Sequence, residues 1–146
     1  MPIVTYKPYY TAWLRDIDKQ SNKYPWWENS WSNIPIDLKI RVLVKDDLPL
    51  GFSAFQIDNK SKTMHILKLC VHPGMRLQGL GSLLHRDLLN IAQREKLKQL
   101  LTLVHEEVPA TTIEWLQSWG WMAINLERNM YPDGRDAYLF ERGVYL

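Results

Sequence analysis

The feature that most constrains the fold is a change of period between Met64 and Leu89, in "MHILKLCVHPGMRLQGLGSLLHRDLL". "MHILKLCV" is a short apolar run of strand composition. From Ser82 to about Leu97, Leu84, Leu88, Ile91 and Ala92 recur at i, i+4, i+7 and i+8, one apolar face of a helix. The next segment, "KQLLTLV", reads as a strand again. Strand, long helix, strand is a right-handed crossover, so the two strands should lie parallel. At the junction of the first strand and the helix stand Arg76, Gln78, Gly79 and Gly81.

The flanking segments fill in a mixed sheet. Trp13, Leu14 and Ile17 suggest a helix over roughly Tyr9–Asn22. "NKYPWWENSW" reads as a loop, since Pro25 disfavours helix at Tyr24. Asn29 or Ser30 then caps a short helix ending before Pro35. In "DLKIRVLVKDD" apolar Leu38, Ile40, Val42 and Val44 alternate with charged residues, the period of a half-buried strand. "DDLP" reads as a turn, "LGFSAFQID" as a strand, "NKSK" as a turn, and "MHILKLCV" as the third strand of an antiparallel meander. After "KQLLTLV", a helix over roughly Ala110–Trp119 has Thr111 or Thr112 near its start and Gly120 as its stop. "MAINLERNMY", a turn at "PDG" and "RDAYLFERG" form a closing hairpin. The expected order is helix, three antiparallel strands, helix, strand, helix, two strands: an α/β (mixed α+β) domain over residues 1–146.

Bulk properties remove several function classes. With 146 residues, 18 basic against 16 acidic side chains and a formal charge of +2, the chain makes no electrostatic case for nucleic acid or an anionic membrane. No apolar run reaches membrane-spanning length and the N-terminus lacks a signal-peptide layout, so a cytoplasmic protein is expected. Cys70 is the one cysteine and cannot form an internal disulfide. It and the four histidines fall at no metal-binding spacing, so no metal is expected. Cys70 lies in an apolar strand and reads as a small buried residue. The chain has seven Trp and seven Tyr, and six of the Trp lie in "YPWWENSW" and "EWLQSWGW". Most should pack in the core, as Trp115 and Trp119 do at i and i+4. Adjacent Trp26 and Trp27 cannot easily share one buried face, which favours a groove or partner surface there.

A helix N-terminus presents unsatisfied N–H groups and partial positive charge, and glycines let its backbone approach an oxygen cluster. The turn therefore reads as a pyrophosphate cradle. It lacks the third glycine of a dinucleotide fingerprint, at Leu84, and the Gly-Lys-Ser/Thr of a P-loop. Arg76-Leu77-Gln78-Gly79-Leu80-Gly81 fits R/Q-x-x-G-x-G/A and resembles the acyl-CoA motif of the GNAT superfamily of N-acetyltransferases. The chain resembles most closely the RimI type, the ribosomal-protein N-terminal acetyltransferases. Beyond the cradle, "YPWWENSW" looks like that type's substrate loop and "ERNMYPDGRDAYLF" like its closing hairpin.

The resemblance implies a mixed, mostly antiparallel sheet with a splayed parallel fourth and fifth strand and helices on both faces. It implies acetyl-CoA as cosubstrate. Backbone N–H groups around Arg76, Leu77, Gln78, Gly79, Leu80, Gly81 and Ser82 would hold the pyrophosphate, and Leu69, Cys70 and Val71 would pair with the pantetheine arm. Tyr24, Pro25, Trp26, Glu28 and Tyr131 would contact the acceptor. The catalytic half departs from the pattern: the type's basic Glu is Val104 here, its acidic Tyr is Leu116, and an Asn that starts the helix is Pro109. If the strand continues, Glu106 shares the face of Val104 and is the first candidate for base, ahead of Glu107 and His105. Tyr131 or Tyr138 could serve as acid, and direct attack without an acid is also chemically open.

The implied reaction is acetyl transfer from acetyl-CoA to a primary amine, most readily a protein or peptide N-terminus, by a monomer or homodimer. A small amine such as an aminoglycoside or polyamine is the alternative acceptor, although "YPWWENSW" offers only Glu28 to a polycation. A non-catalytic acyl-CoA-binding or interaction domain is the alternative of another class.

Overall fold

A computed structural model describes residues 2–26, 28–76 and 79–145, with backbone alone at 28 and 29. The strands are β1 (Ile3–Thr5), β2 (Lys39–Lys45), β3 (Leu48–Asp58), β4 (Thr63–Val71), β5 (Gln99–His105), β6 (Met122–Glu127) and β7 (Ala137–Gly143). The helices are α1 (Thr11–Ser21), α2 (Glu28–Ser32), α3 (Leu80–Arg94) and α4 (Ala110–Ser118). The seven strands pair in the order β1-β2-β3-β4-β5-β7-β6. The chain, expected to form one domain, groups into two compact units, residues 1–56 with 67–91 and residues 57–66 with 92–146.

In the first unit, alternation along β2 sends successive side chains to two different cores. Ile40 and Val42 pack with Tyr10, Leu14, Ile17, Trp31 and Phe52, the layer of α1 and α2. Leu43 packs with Leu80 and Leu84 of α3. Helices therefore cover both faces of this strand, as its near-continuous apolar run Val42-Leu43-Val44 requires. The β2–β3 hairpin turns on Asp46 and Asp47, both in the left-handed region (φ 51° and 64°). Two left-handed central residues match the twist of a two-residue hairpin turn, so Leu48 and Pro49 of "DDLP" belong to the strand, not the turn.

Two further expectations are corrected here. The strand β1, which pairs antiparallel with β2 from Ile3↔Leu43 to Thr5↔Arg41, was missing from the expected order, and its three residues are too few to show a period. Asn29 and Ser30 lie inside α2 rather than capping it.

The second unit carries the parallel pair. Thr63–Ile66 of β4 run in register with Gln99–Thr102 of β5, as the crossover demands. β5 then pairs antiparallel with β7, and β7 with β6. Asp58 Oδ1 accepts the N–H groups of Lys60 and Ser61, which fixes the turn into β4. Arg142 is largely buried and donates from Nε to the Trp119 carbonyl (2.5 Å), placing a cation at the C-terminal end of α4. Burial lowers the Arg142 pKa. Among the described residues no helix is long and apolar enough to cross a membrane, and no group of His, Cys, Asp or Glu could hold a metal ion.

Candidate active site

The first unit brings together the end of β4 and the start of α3. After Val71 the chain makes a 3-10 turn at Pro73–Met75, capped by His72, whose Nδ1 accepts the Gly74 N–H (3.0 Å). Arg76 is exposed and extended. Leu77 and Gln78 lie outside the described residues. Gly79 is left-handed (φ 75°), and a Cβ built on it meets nothing within 4 Å. The Leu83 N–H donates to the Gly79 carbonyl (3.2 Å), which leaves Leu80, Gly81 and Ser82 as the first turn, ahead of the intrahelical ladder. Leu80 and Leu84 are buried and fix the helix on the sheet. The result is a helix N-terminus packed through Leu80 and Leu84, with open space around the Cβ position of Gly79, a geometry suited to an anionic oxygen cluster.

Along β4 the three residues expected to meet a pantetheine arm divide by parity. The His72 N–H donates to Leu50 O (2.7 Å) and the Cys70 carbonyl lies 2.7 Å from a Cβ built on Gly51, so Cys70 and His72 turn their backbone groups toward β3. Leu69 and Val71 turn theirs to the opposite edge. The hydroxyl of Ser21 donates to Val71 O (3.2 Å). Cys70 is buried, and burial pushes its thiol up to about 11, so it is no nucleophile at neutral pH.

The expected acceptor loop belongs to the same unit. Tyr24, Pro25 and Trp26 are half-buried, and of Glu28 the backbone opens α2. Trp26 is not the exposed platform expected for the Trp pair. It lies 5.1 Å from the Trp31 ring and packs on the α1 core. Trp27 lies outside the described residues. The anchor of this loop is a group that the sequence reading overlooked. Asp18 of α1 is fully buried; its Oδ2 accepts the Trp26 N–H (2.8 Å) and its Oδ1 accepts Asn22 Nδ2 (2.7 Å) and Lys68 Nζ (2.8 Å). Lys68 is on β4, and its ammonium sits 5.0 Å from the Trp26 ring centroid. Asn22 Nδ2 also approaches Cys70 Sγ (3.1 Å). The signal was available: Leu14 and Asp18 stand at i and i+4, on the buried face of α1.

In the second unit, the end of β5 is tied to the β6–β7 hairpin. β5 stops at His105, so Glu106 lies in the following turn and the strand alternation used to place it does not extend that far. The Glu106 N–H still donates to Asp136 O (3.1 Å), Glu106 Oε1 accepts the Asp136 N–H (3.3 Å), and Arg135 Nη1 lies 3.7 Å from the same oxygen. Arg135 Nη2 pairs with Glu107 (3.1 Å). The His105 ring packs 4.6 Å from Tyr131, and its Nδ1 accepts the Glu107 N–H (2.9 Å). A neutral His105 therefore carries its proton on Nε2 and has no open acceptor nitrogen in this arrangement. Burial raises the Tyr131 pKa, keeping its hydroxyl protonated. Tyr138, the other expected acid, is exposed on β7 opposite Val104.

The hairpin motif has a physical reading. Asn129 and Gly134 are left-handed (φ 54° and 81°), the Gly134 N–H closes a turn onto Tyr131 O (2.9 Å), Asp133 Oδ1 accepts the Arg135 N–H (3.1 Å), and Asp136 Oδ1 accepts the Asn129 N–H (2.9 Å). The Asp133 and Asp136 side chains thus fix the backbone on either side of Tyr131.

The profile of the acetyltransferase (GNAT) family matches residues 6–121, more than half of the chain and inclusive of the cradle. The chain belongs to the GNAT acetyltransferase family. It is accordingly an acetyl-CoA-dependent acetyltransferase. Among curated proteins none matches. Among solved structures, the ribosomal-protein-S18-alanine N-acetyltransferase from Escherichia coli superposes with a TM-score of 0.87 at 21% identity, over 99% of this chain and 94% of that one. Arabidopsis thaliana Naa50, in complex with the bisubstrate analogue CoA-Ac-MVNAL, gives 0.82 at 15% identity over 97% of each chain. An aminoglycoside 6'-N-acetyltransferase complexed with coenzyme A gives 0.82 at 12% identity, over 100% of this chain and 98% of that one. These likenesses confirm the GNAT fold.

The three positions that depart from the RimI-type pattern are structural here. Val104 is nearly buried within β5, and Leu116 is buried on α4. Pro109 stands at the N-cap of α4, where no side chain caps the helix. Neither Val104 nor Leu116 can carry a proton.

Proposed function

We propose that this GNAT acetyltransferase acetylates the N-terminal amine of a protein or peptide, as the RimI type does. The observation that carries the choice of acceptor is the internal pairing of carboxylates. Asp18 is spent on Lys68, Asn22 and Trp26, and Glu106 and Glu107 face Arg135. A polycationic small amine needs several uncompensated acids, whereas a peptide terminus brings one ammonium. The closing-hairpin motif around Tyr131 supports the same reading.

The roles are those that the family resemblance implies. The N–H groups of Gly79, Leu80, Gly81 and Ser82, with Arg76 close in sequence, hold the pyrophosphate; Leu77 and Gln78, also expected there, lie outside the described residues. Leu69 and Val71 offer their backbone groups to the pantetheine arm, and Cys70 only spaces them. Tyr24, Pro25, Trp26, Glu28 and Tyr131 contact the acceptor. Glu106 is the base: Oε1 takes Arg135 and the Asp136 N–H, leaving Oε2 to accept the ammonium proton, directly or through a water. The neutral amine then forms the C–N bond as the C–S bond breaks; the departing thiolate takes the Tyr131 hydroxyl proton, and the second proton lost from the amine nitrogen restores that hydroxyl.

The test is acetyl transfer to a panel of peptides with different N-terminal residues, beside aminoglycosides and polyamines. Transfer to peptides, with kcat reduced about 10²- to 10⁴-fold in Glu106→Gln and acetyl-CoA affinity retained, is the expected result. Transfer confined to small amines would overturn the acceptor, and an active Glu106→Gln enzyme would overturn the base.

A further inference from the structure

The buried ion pair between Asp18 and Lys68 has no obvious stabilising purpose. Asp18 is fully buried and the Lys68 side chain is nearly so. Removing two charges from water costs about as much as their attraction returns, and packed apolar residues often replace such pairs without loss. What an apolar pair could not do is hold the Trp26 N–H. The Asp18 carboxylate collects donors from three separate segments: Asn22 at the end of α1, Trp26 in the loop and Lys68 in β4. The Lys68 ammonium then supports the Trp26 ring from one direction while Trp31 packs against it as well. Both the backbone and the ring of Trp26 are thus set by one ion pair, whose Lys68 directly precedes Leu69 in β4.

We infer that Asp18 and Lys68 are positioning residues for the acceptor: the pair fixes the 22–26 loop against β4 so that the loop presents one surface to the incoming amine. This rests on the assignment of that loop to the acceptor in the preceding section. Neither residue touches the reacting atoms. A pair of this kind ties down a loop, carrying Lys23, Tyr24 and Pro25, that has no helix or strand of its own. It also predicts that the two halves of substrate recognition separate. The cradle at Gly79 is built on Leu80 and Leu84, not on Asp18, so acetyl-CoA binding should survive its loss while acceptor binding does not.

The experiment compares Asp18→Asn, Lys68→Met and the double variant, which removes both charges at near-constant size and guards against a fold lost to one unpaired buried charge. Three quantities are read: tryptic cleavage after Lys23, acetyl-CoA affinity by titration, and kcat and KM for an acceptor peptide. Faster cleavage at Lys23, unchanged acetyl-CoA affinity and an acceptor KM raised about 10- to 100-fold are expected. Unchanged cleavage and KM in folded variants would overturn the inference, as would acetyl-CoA affinity falling in step with KM. Should the wild type acetylate no peptide, the proposed function fails by itself, and cleavage at Lys23 against acetyl-CoA affinity still decides whether the pair positions the loop.

Discussion

Replacing Gly51 by Ala should destabilise the protein by steric force alone. Gly51 faces β4 from β3, and a Cβ built on it lies 2.7 Å from Cys70 O, 3.3 Å from Leu84 Cδ1 and 3.4 Å from Val71 Cα. Two of these neighbours are backbone, so relief requires β3 and β4 to separate, with Leu84 of α3 giving way as well. Overpacking of this kind costs about 1–3 kcal/mol. For a chain of this size each kcal/mol lowers Tm by about 4 °C, so a loss of about 4–12 °C is expected in thermal unfolding followed by circular dichroism. Acetyl-CoA affinity should fall as well, since the displaced residues, Cys70 and Val71, belong to the strand proposed for the pantetheine arm. Gly79→Ala is the matched control. Its Cβ enters open space, and only the left-handed backbone penalises it, by about 1–2 kcal/mol. A Gly51→Ala protein that melts with the wild type would refute the close approach of β3 to Cys70 and the parity argument built on it.

Two titratable groups give further tests. Burial raises the Tyr131 pKa above its ordinary 10.0, and an acid is active while protonated. The alkaline loss of kcat should therefore lie above pH 10, and Tyr131→Phe should lower kcat throughout; a limb near pH 8 to 9 that survives in Tyr131→Phe would assign the acid elsewhere. Burial raises the Cys70 thiol from 9.0 to about 11, so an aromatic disulfide reagent at pH 8 should label the folded protein only as fast as it opens and label the urea-unfolded chain at once. The neutral thiol's contribution to stability is complete below pH 9 and lost as pH rises through about 11, which urea titrations across that range would show as a falling midpoint. Rapid labelling of the native protein would contradict the buried placement of Cys70.

Much of this was legible because local periods decided it. The change from period 2 to period 3.6 around Val71 and Ser82 located β4 and α3, and the crossover rule then made β4 and β5 parallel before any register was known. The turn proposed as the cradle was legible as the point where the strand period gives way to the helical one, and Gly79 there is left-handed. The misses have physical causes. β1 is three residues long and is held by backbone bonds such as the Tyr6 N–H to Ile40 O, which leave no mark in side-chain pattern. Asp46-Asp47 takes a turn geometry usually met with glycine. Glu106 was placed by extending β5 past His105, where the chain had already turned. The Asp18–Lys68 pair joins residues fifty positions apart, and no spacing rule connects a helix acid to a strand lysine. Trp26 was read as exposed because it adjoins another Trp, whereas its burial depends on Lys68 and Trp31 from elsewhere in the chain.

The most direct test of the central claim, that the turn from Arg76 to Ser82 seats acetyl-CoA, is thermal unfolding of the wild type and of Gly79→Trp with and without the ligand. At about 100 times its dissociation constant, acetyl-CoA should add roughly 2.7 kcal/mol to the wild type. The account requires that gain to vanish in Gly79→Trp, whose ring would fill the open space before α3. Equal stabilisation of both proteins would place the ligand elsewhere, and no stabilisation of either would contradict the cradle itself.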